Sequence, residues 1–537
     1  MPTSNRFAYQ SLAEVRRDAE ELHVADKLRF SEDVSVLHTP LTLPNGATLP
    51  NRFVVHPMEG FDSQPNGAPG ELAFRRYRRY AEGGFGLIWF EATAVLFEAR
   101  SNPCQLWIND DNWTVFRDLV AATKKAGRDA HGVEPMMVIQ LTHSGRYSRP
   151  LGFPQPLIAH HSRFLDPIHH LTPDYPLVTD EYLDQLQRHF VHAAQLAEKA
   201  GFDGIDLKGC HRYLMAELLA SYTRTDSRYG GEALENRSRL MRETLAAIRR
   251  ETSRIFVTTR MNATDEMPYP YGFGMAHDGS MNVDLSETLD YIRQLRQFDM
   301  PFINVTIANP YYQPFYGRPF DIPVIGTPAS PEHPMTGVAR FLDIVAQVQR
   351  ANPGFPIIAT GYTWLRQFAP NAAAASILNG EASLVGFGRG SFAYPDMPAD
   401  LARNGHLTPN KCCITCSRCT QIMRDGAHTG CVIRDAATYK TPYDLSRQFA
   451  TGKAAVAQFL ADNATPTFPA DTDAAQATAF LKTYAKGDLR EAVRMLRQGF
   501  AKGCDQTCAA DGTPAPQPVR DAADTLARYA DMCQLEG

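Results

Sequence analysis

Eight short apolar runs of strand character succeed one another between about residues 40 and 400: RFVVHPM, FGLIWFEATAV, MMVIQLTH, FDGIDLKG, RIFVTTRM, FINVTIAN, FPIIATGY and SLVGFGRG. Segments of helical periodicity separate most of them. The runs are apolar enough to be buried on both faces, as the strands of a parallel sheet are. Together these observations predict an α/β fold, a (β/α)8 barrel of the TIM type, rather than an open doubly wound sheet.

Taken in order, PNGATLPN before the first run reads as a turn that closes the barrel floor. The helical segments include ELAFRRYRRYAEGG, LDQLQRHFVHAAQLAEKAG, LENRSRLMRETLAAIRRE, LSETLDYIRQLRQF and VARFLDIVAQVQRA, each with an apolar stripe and good helix formers. Past residue 400 the pattern changes to a cysteine-rich loop. After it come amphipathic helical segments, GKAAVAQFLADN, DAAQATAFLKTYAKG, LREAVRMLRQGFAKG and VRDAADTLARYADMCQ, joined by turns rich in Pro and Gly. The expected organisation is an N-terminal extension over 1–37, the barrel over 38–405, a metal-cluster segment over 406–440 and a helical C-terminal region over 441–537. Cys504, Cys508 and Cys533 read as buried structural cysteines of that last region.

Composition narrows the function classes. Apolar content of 44%, charged content of 21% and a net charge of −5 over 537 residues suit a soluble globular protein and argue against nucleic-acid or anionic-membrane partners. The N-terminal stretch mixes both charge signs and holds no apolar run of signal-peptide or membrane-spanning length, so a cytoplasmic location is expected. No GxGxxG follows a strand, so no dinucleotide-binding domain is visible.

The C-terminal ends of the runs carry Glu59, Glu91, Gln140 with His143, Lys208 with His211, Arg260, Asn304, Gly361 and Arg389, and barrels of this kind build their active sites at that rim. Gly361, Gly386 and Gly388 allow backbone N–H groups to approach phosphate oxygens, and Arg389 can neutralise them. Arg260 is a fixed cation suited to an anionic ring, and the Gln140 amide offers the donor and acceptor that a flavin pyrimidine edge requires. A rim ion pair and a satisfied core amide are the plainer readings of these two. A structural hydrogen bond within HSGR is the expected role of His143.

Five of the ten cysteines crowd into KCCITCSRCTQIMRDGAHTGC. Cys413, Cys416 and Cys419 are three residues apart and Cys431 follows after twelve more, a spacing able to wrap one metal centre. An iron–sulfur cluster, a tetrahedral zinc and reduced unliganded thiols all stay open on spacing alone.

The ordered set PLTLPNGATLPNRFVVHPM, YRRYAEGGFGLIWFEATAV, QLTHSGR, GFDGIDLKGCHRYL, RTDSRYGG with LENRSR, and LVGFGRGSFAYPDMP resembles the old yellow enzyme family of FMN-dependent oxidoreductases, over about residues 38 to 400. With the cysteine cluster behind the barrel, the chain resembles the iron–sulfur branch, which includes 2,4-dienoyl-CoA reductase and trimethylamine dehydrogenase. The resemblance implies a four-iron, four-sulfur cluster on Cys413, Cys416, Cys419 and Cys431. It implies an FMN held by Pro57, Met58, Ala92, Gln140, Arg260, Gly361, Gly388 and Arg389. Tyr213 is implied as the proton donor and His211 as a substrate-binding group, with hydride from flavin N5 reducing an activated C=C bond and NAD(P)H as electron donor. Lys208 and Glu59 depart from the family pattern, which carries His or Tyr at the first position and Thr, Cys or Ala at the second. They are expected to face the flavin, where Lys208 either pairs with Glu59 or holds a substrate carboxylate or carbonyl. The iron–sulfur relatives carry flavodoxin-like and nucleotide-binding domains after the cluster, where this chain reads as helices. The partners expected are a small-molecule substrate, an electron-transfer protein and a second copy of the chain. Two alternatives remain at this stage: an amine or C–H dehydrogenase passing electrons outward through the cluster, and a non-redox barrel with structural zinc.

Overall fold

The computed structural model describes residues 6–150, 154–447 and 450. The helical segments expected beyond residue 450, with Cys504, Cys508 and Cys533, lie outside the described residues. The chain divides into two compact units, the first comprising residues 1–100, 104–148 and 156–417.

The first unit contains the expected barrel. Its strands are β1 (Phe53–Val55), β2 (Leu87–Ala94), β3 (Met136–Thr142), β4 (Gly204–Leu207), β5 in two halves (Phe256–Thr258 and Arg260–Asn262), β6 (Ile303–Thr306), β7 (Ile357–Ala359) and β8 (Leu384–Phe387). All pair in parallel with their chain neighbours, and β8 returns to β1 through Val385 opposite Phe53. The first half of β5 pairs with β4 and the second with β6, so the ring closes across Thr259. The Thr259 hydroxyl donates to Leu207 O at 2.8 Å and its carbonyl accepts from Asn304 N at 3.0 Å, replacing ladder bonds that the break removes.

The floor is plugged as PNGATLPN suggests. Leu41–Thr42 and Thr48–Leu49 form an antiparallel hairpin whose turn places Gly46 at φ 84°, a left-handed value that glycine adopts without strain. Leu43 and Leu49 then pack with Val54, Leu87, Trp89, Val138, Phe302, Ile358 and Leu384, from the floor ends of the strands.

Around the strands run α1 (Glu71–Glu82), α2 (Trp113–His131), α3 (Asp180–Ala200), α4 (Arg239–Glu251), α5 (Ser286–Arg296), α6 (Pro334–Ala351), α7 (Ala369–Leu378) and α8 (Met397–Asn404). The longest, α3, shows why such sequences form these helices. Thr179 accepts from Tyr182 N as N-cap, Asp180 and Glu181 complement the positive end of the dipole, and Lys199 the negative end. Gly201 at φ 88° stops it, and Leu183, Leu186, Phe190, Ala194 and Ala197 form the buried stripe.

Glu91 is not a rim residue. It lies inside β2 at a bulge, where the register slips between Phe90 and Ala92, and enters a buried network with Arg76, Tyr77 and Gly60 N. In the second unit, residues 101–103, 149–155 and 418–537, Arg418–Arg424 is helical and so are residues 436–447, while Arg447 grips both oxygens of Asp425 at 3.0 and 2.9 Å. Among the described residues no helix is long and apolar enough to cross a membrane.

Leu49 is fully buried in the floor plug. Leu49→Ala is expected to cost about 2–5 kcal/mol, as a large-to-small change in a closed core does, read as a lowered urea midpoint.

Candidate active site

The rim is organised from below by Asp206, fully buried at β4. Its Oδ2 accepts from Gln140 Nε2 at 2.6 Å and Trp89 Nε1 at 2.8 Å, and its Oδ1 from Arg260 N at 2.8 Å. Burial pushes this carboxyl up to about 6 despite those donors. Gln140 is therefore fixed on one side by an internal partner, and pairs across the ladder with Ala92.

Above this layer stands a set of cationic groups. Arg260 is buried, its Nε meets no hydrogen-bond partner, and its Nη2 reaches only Thr306 Oγ1 at 3.5 Å. The buried Nε of Arg389, just past β8, likewise has none. Burial, then the charges of Arg260, Lys208 and Arg389, hold the His211 imidazole neutral. Two guanidiniums with unanswered N–H groups are a cradle for an anion. Gly361, two residues past β7, has φ 107°. Met58 and Gly388 are in close contact, since a Cβ on Gly388 would come 3.0 Å from Met58 Sδ. Arg260 and Arg389 are thus neighbours at the end of the barrel where Met58 meets Gly388, and their unpaired Nε–H groups fit an anionic group such as a phosphate.

The loop after β4 carries Lys208, His211 and Tyr213. His211 and Arg212 both have left-handed backbones, φ 61° and 60°, which cost about 1–2 kcal/mol each for residues with a Cβ. Arg212 offsets this from a fully buried position, donating to Asp265 Oδ2 at 3.0 Å and to His160 Nε2 at 2.7 Å, while Asn262 Oδ1 accepts His211 N at 3.2 Å. The strained loop delivers Tyr213 into a cluster of rings. Its hydroxyl is 3.1 Å from that of Tyr311, whose ring stacks on Tyr147 at 4.1 Å. Asn309 Nδ2 donates to Tyr147 Oη at 2.9 Å. Burial first, then Glu59 and Tyr311, raise the Tyr213 hydroxyl well above the ordinary phenol range, so it holds its proton. Lys208 and Glu59 form an ion pair at 3.3 Å, and Lys208 Nζ stands 3.4 Å from the Tyr213 ring centroid.

Tyr147, Asn309 and Tyr311 were not among the sequence candidates. Their signals were present: a tyrosine ending HSGRY, and the pair Tyr311–Tyr312 just past the sixth run. His143 takes the structural role expected of it. Nδ1 accepts from Gly145 N at 3.0 Å, so the proton rests on Nε2, which donates to Tyr182 Oη at 2.8 Å.

Cys413 and Cys416 belong to the first unit, Cys419 and Cys431 to the second. Among the described residues no group of three or more His, Cys, Asp or Glu is placed so that it could hold a metal ion. Cys413 Sγ accepts from Thr415 N at 3.4 Å and Cys431 Sγ from Arg434 N at 3.3 Å.

The sequence model of the NADH:flavin oxidoreductase / NADH oxidase family matches residues 36–289. An NADPH dehydrogenase of Listeria monocytogenes is 30% identical over 251 residues, covering 44% of this chain and 70% of that protein. This chain belongs to that family. Another flavin oxidoreductase family relative, an NADPH dehydrogenase of Halalkalibacterium halodurans, is 38% identical over 207 residues, 38% of this chain. The match spans only 56% of that relative's own length. A solved 2-naphthoyl-CoA reductase complex shares the fold, with TM-score 0.60 and 18% identity over 78% of this chain and 59% of that one.

Burial pushes the His143 imidazole down to about 3 from an ordinary 6.5. The unfolded chain takes up this proton near pH 6.5 and the folded one near 3, so the folded state keeps its full stability above 6.5 and loses it as pH falls between these values. Urea unfolding from pH 7 to 4 should therefore fall more gently in His143→Gln than in wild type, by up to about 1.4 kcal/mol per pH unit.

Proposed function

We propose that the protein is an FMN-dependent oxidoreductase that reduces an activated C=C bond at the expense of NAD(P)H. The observation that carries this reading is the Tyr213 hydroxyl, protonated and buried beside Lys208 and His211, above a rim whose free guanidinium donors fit FMN. The names of the NADPH dehydrogenase relatives support the nicotinamide donor.

Bound FMN supplies two-electron carriage between the nicotinamide and the alkene. The chain's own groups do the rest. Lys208 and His211 donate to the carbonyl oxygen of the substrate, where negative charge gathers as hydride reaches the β-carbon. Tyr213 gives its proton to the α-carbon and regains one from solvent, so one hydride and one proton are added per alkene. Gln140 and Arg260 hold the ring edge, with Pro57, Met58 and the backbone near Ala92 beside it, and Gly361, Gly388 and Arg389 hold the phosphate. An amine substrate suits this site poorly, because the chain already places an ammonium on the Tyr213 ring face.

The cysteine spacing supports a four-iron, four-sulfur cluster on Cys413, Cys416, Cys419 and Cys431. Amide-to-sulfur bonds at Cys413 and Cys431 are the kind that stabilise ligating thiolates. No step of the alkene reduction depends on it.

Anaerobically purified protein should show flavin bands, and its bleaching by NADPH or NADH should be reversed by 2-cyclohexen-1-one. A colourless protein, or one turned over only by amines with an artificial acceptor, would overturn the reading. Tyr213→Phe is expected to slow the alkene half-reaction about 100-fold or more, and the NAD(P)H half-reaction far less, in stopped-flow traces. Cys413→Ser should lose most of its iron and sulfide by chemical analysis, whereas wild type should carry about four iron per chain.

A further inference from the structure

Lys208 and Tyr213, from one loop, meet a third group from another at a single atom. Glu59 Oε1, on the loop after β1, lies 3.3 Å from Lys208 Nζ and 3.4 Å from Tyr213 Oη. The mechanism above uses the lysine and the tyrosine but gives Glu59 no task.

Glu59 is not there by a chance side-chain excursion. The next residue, Gly60, donates its N–H to Glu91 Oε2 at 2.6 Å, and Glu91 is gripped by Arg76 at 2.7 Å and Tyr77 at 3.0 Å. Arg76 in turn pairs with Asp62 at 2.7 Å, all of it buried. A Cβ at Gly60 would fall 2.1 Å from Arg76 Nη2, so only glycine lets the loop lie this close. Anchoring just past it, through the Gly60 N–H and the Asp62 side chain, fixes the stretch that carries the Glu59 carboxylate. Its side chain is only 10% exposed and that of Lys208 only 5%.

The charges facing this pair are mostly positive or neutral. Arg260 approaches Lys208 from β5, while His211, Cys210 and Tyr213 flank it on its own loop. His56 just past β1 and Arg389 past β8 add neutral and positive neighbours around His211, and Tyr311 past β6 brings another phenol. Glu59 is the carboxylate that faces Lys208 across this set. A buried ammonium beside a guanidinium sheds its proton easily unless a counter-charge holds it.

Resting on the reductase reading, we infer that Glu59 is a positioning residue that keeps Lys208 charged and orients the Tyr213 hydroxyl, so that substrate meets an ammonium and an aimed phenol together. In the resting site Tyr213 donates to Glu59 and receives from Tyr311. When a carbonyl substrate arrives, Lys208 turns a donor toward its oxygen without giving up the carboxylate. The direction of the Lys208 shift agrees: burial lowers it and Glu59 raises it again.

Holoenzyme is titrated from about pH 6 to 9.5 with two readouts, the absorbance of the bound oxidised flavin and the alkaline limb of reoxidation by 2-cyclohexen-1-one. The relevant transition is the one that Lys208→Met abolishes. In Glu59→Gln it should lie lower than in wild type by about one pH unit or more, and Glu59→Asp should restore much of the difference. A transition in Glu59→Gln that coincides with wild type, or is missing from the range, overturns the inference. Should Glu59→Gln fail to retain flavin, Glu59→Asp decides: its shorter carboxylate draws back from Lys208, so the transition should lie measurably below wild type, and one that coincides with wild type overturns the inference. A moved spectral midpoint in a protein that cannot reduce the alkene would retain the role of Glu59 and discard the reductase reading. Alkene reduction with an unmoved midpoint would do the reverse.

Discussion

The rim depends on one carboxylate in the barrel interior. Asp206 has no exposure to solvent, yet it joins β2 through Trp89, β3 through Gln140 and β5 through the Arg260 amide. Each donor is itself buried and would otherwise leave a polar group unsatisfied, at about 1–3 kcal/mol apiece. The carboxylate therefore does two things with the same oxygens. It locks three strands in register and sets the height and orientation of the two side chains expected to border the ring, Gln140 and Arg260. Its position on β4 also fixes the start of the loop that carries Lys208, His211 and Tyr213.

That loop shows how local strain and burial are balanced. Two successive left-handed residues with side chains are held because Arg212 finds Asp265 and His160 in the interior, and because Asn262 bridges His211 to Asp265 and Ala308. The reward is a tyrosine pointed into the site by its backbone, where burial and then the Glu59 carboxylate keep it protonated. The charged pair beside it is paid for in desolvation, and is tolerated because the ammonium also lies on a ring face.

The barrel was legible in the sequence because each strand is an apolar run and each helix an apolar stripe, signals that are local. The rim residues were legible because a strand's last residue must face the rim wherever it points. Glu91 was misread for a related reason: FGLIWFEATAV contains a bulge, and a one-residue slip changes which face a side chain takes. The Glu59–Lys208 pair was foreseen only as one of two options, since residues 149 apart in sequence carry no pairwise signal in a single chain. Tyr147, Asn309 and Tyr311 were missed on the same ground. A tyrosine after a strand looks ordinary until its stacking partner is known.

The ring cluster draws on loops after β3, β4 and β6, with Tyr147, Tyr213 and Tyr311 separated by 66 and 98 positions in the chain. The stretch matched by the family model stops at residue 289, before Tyr311 and before Arg389. A fragment cut to that stretch would thus keep Tyr213 and its strained loop but lose Tyr311, the ring its hydroxyl meets, and Arg389, whose buried Nε has no partner.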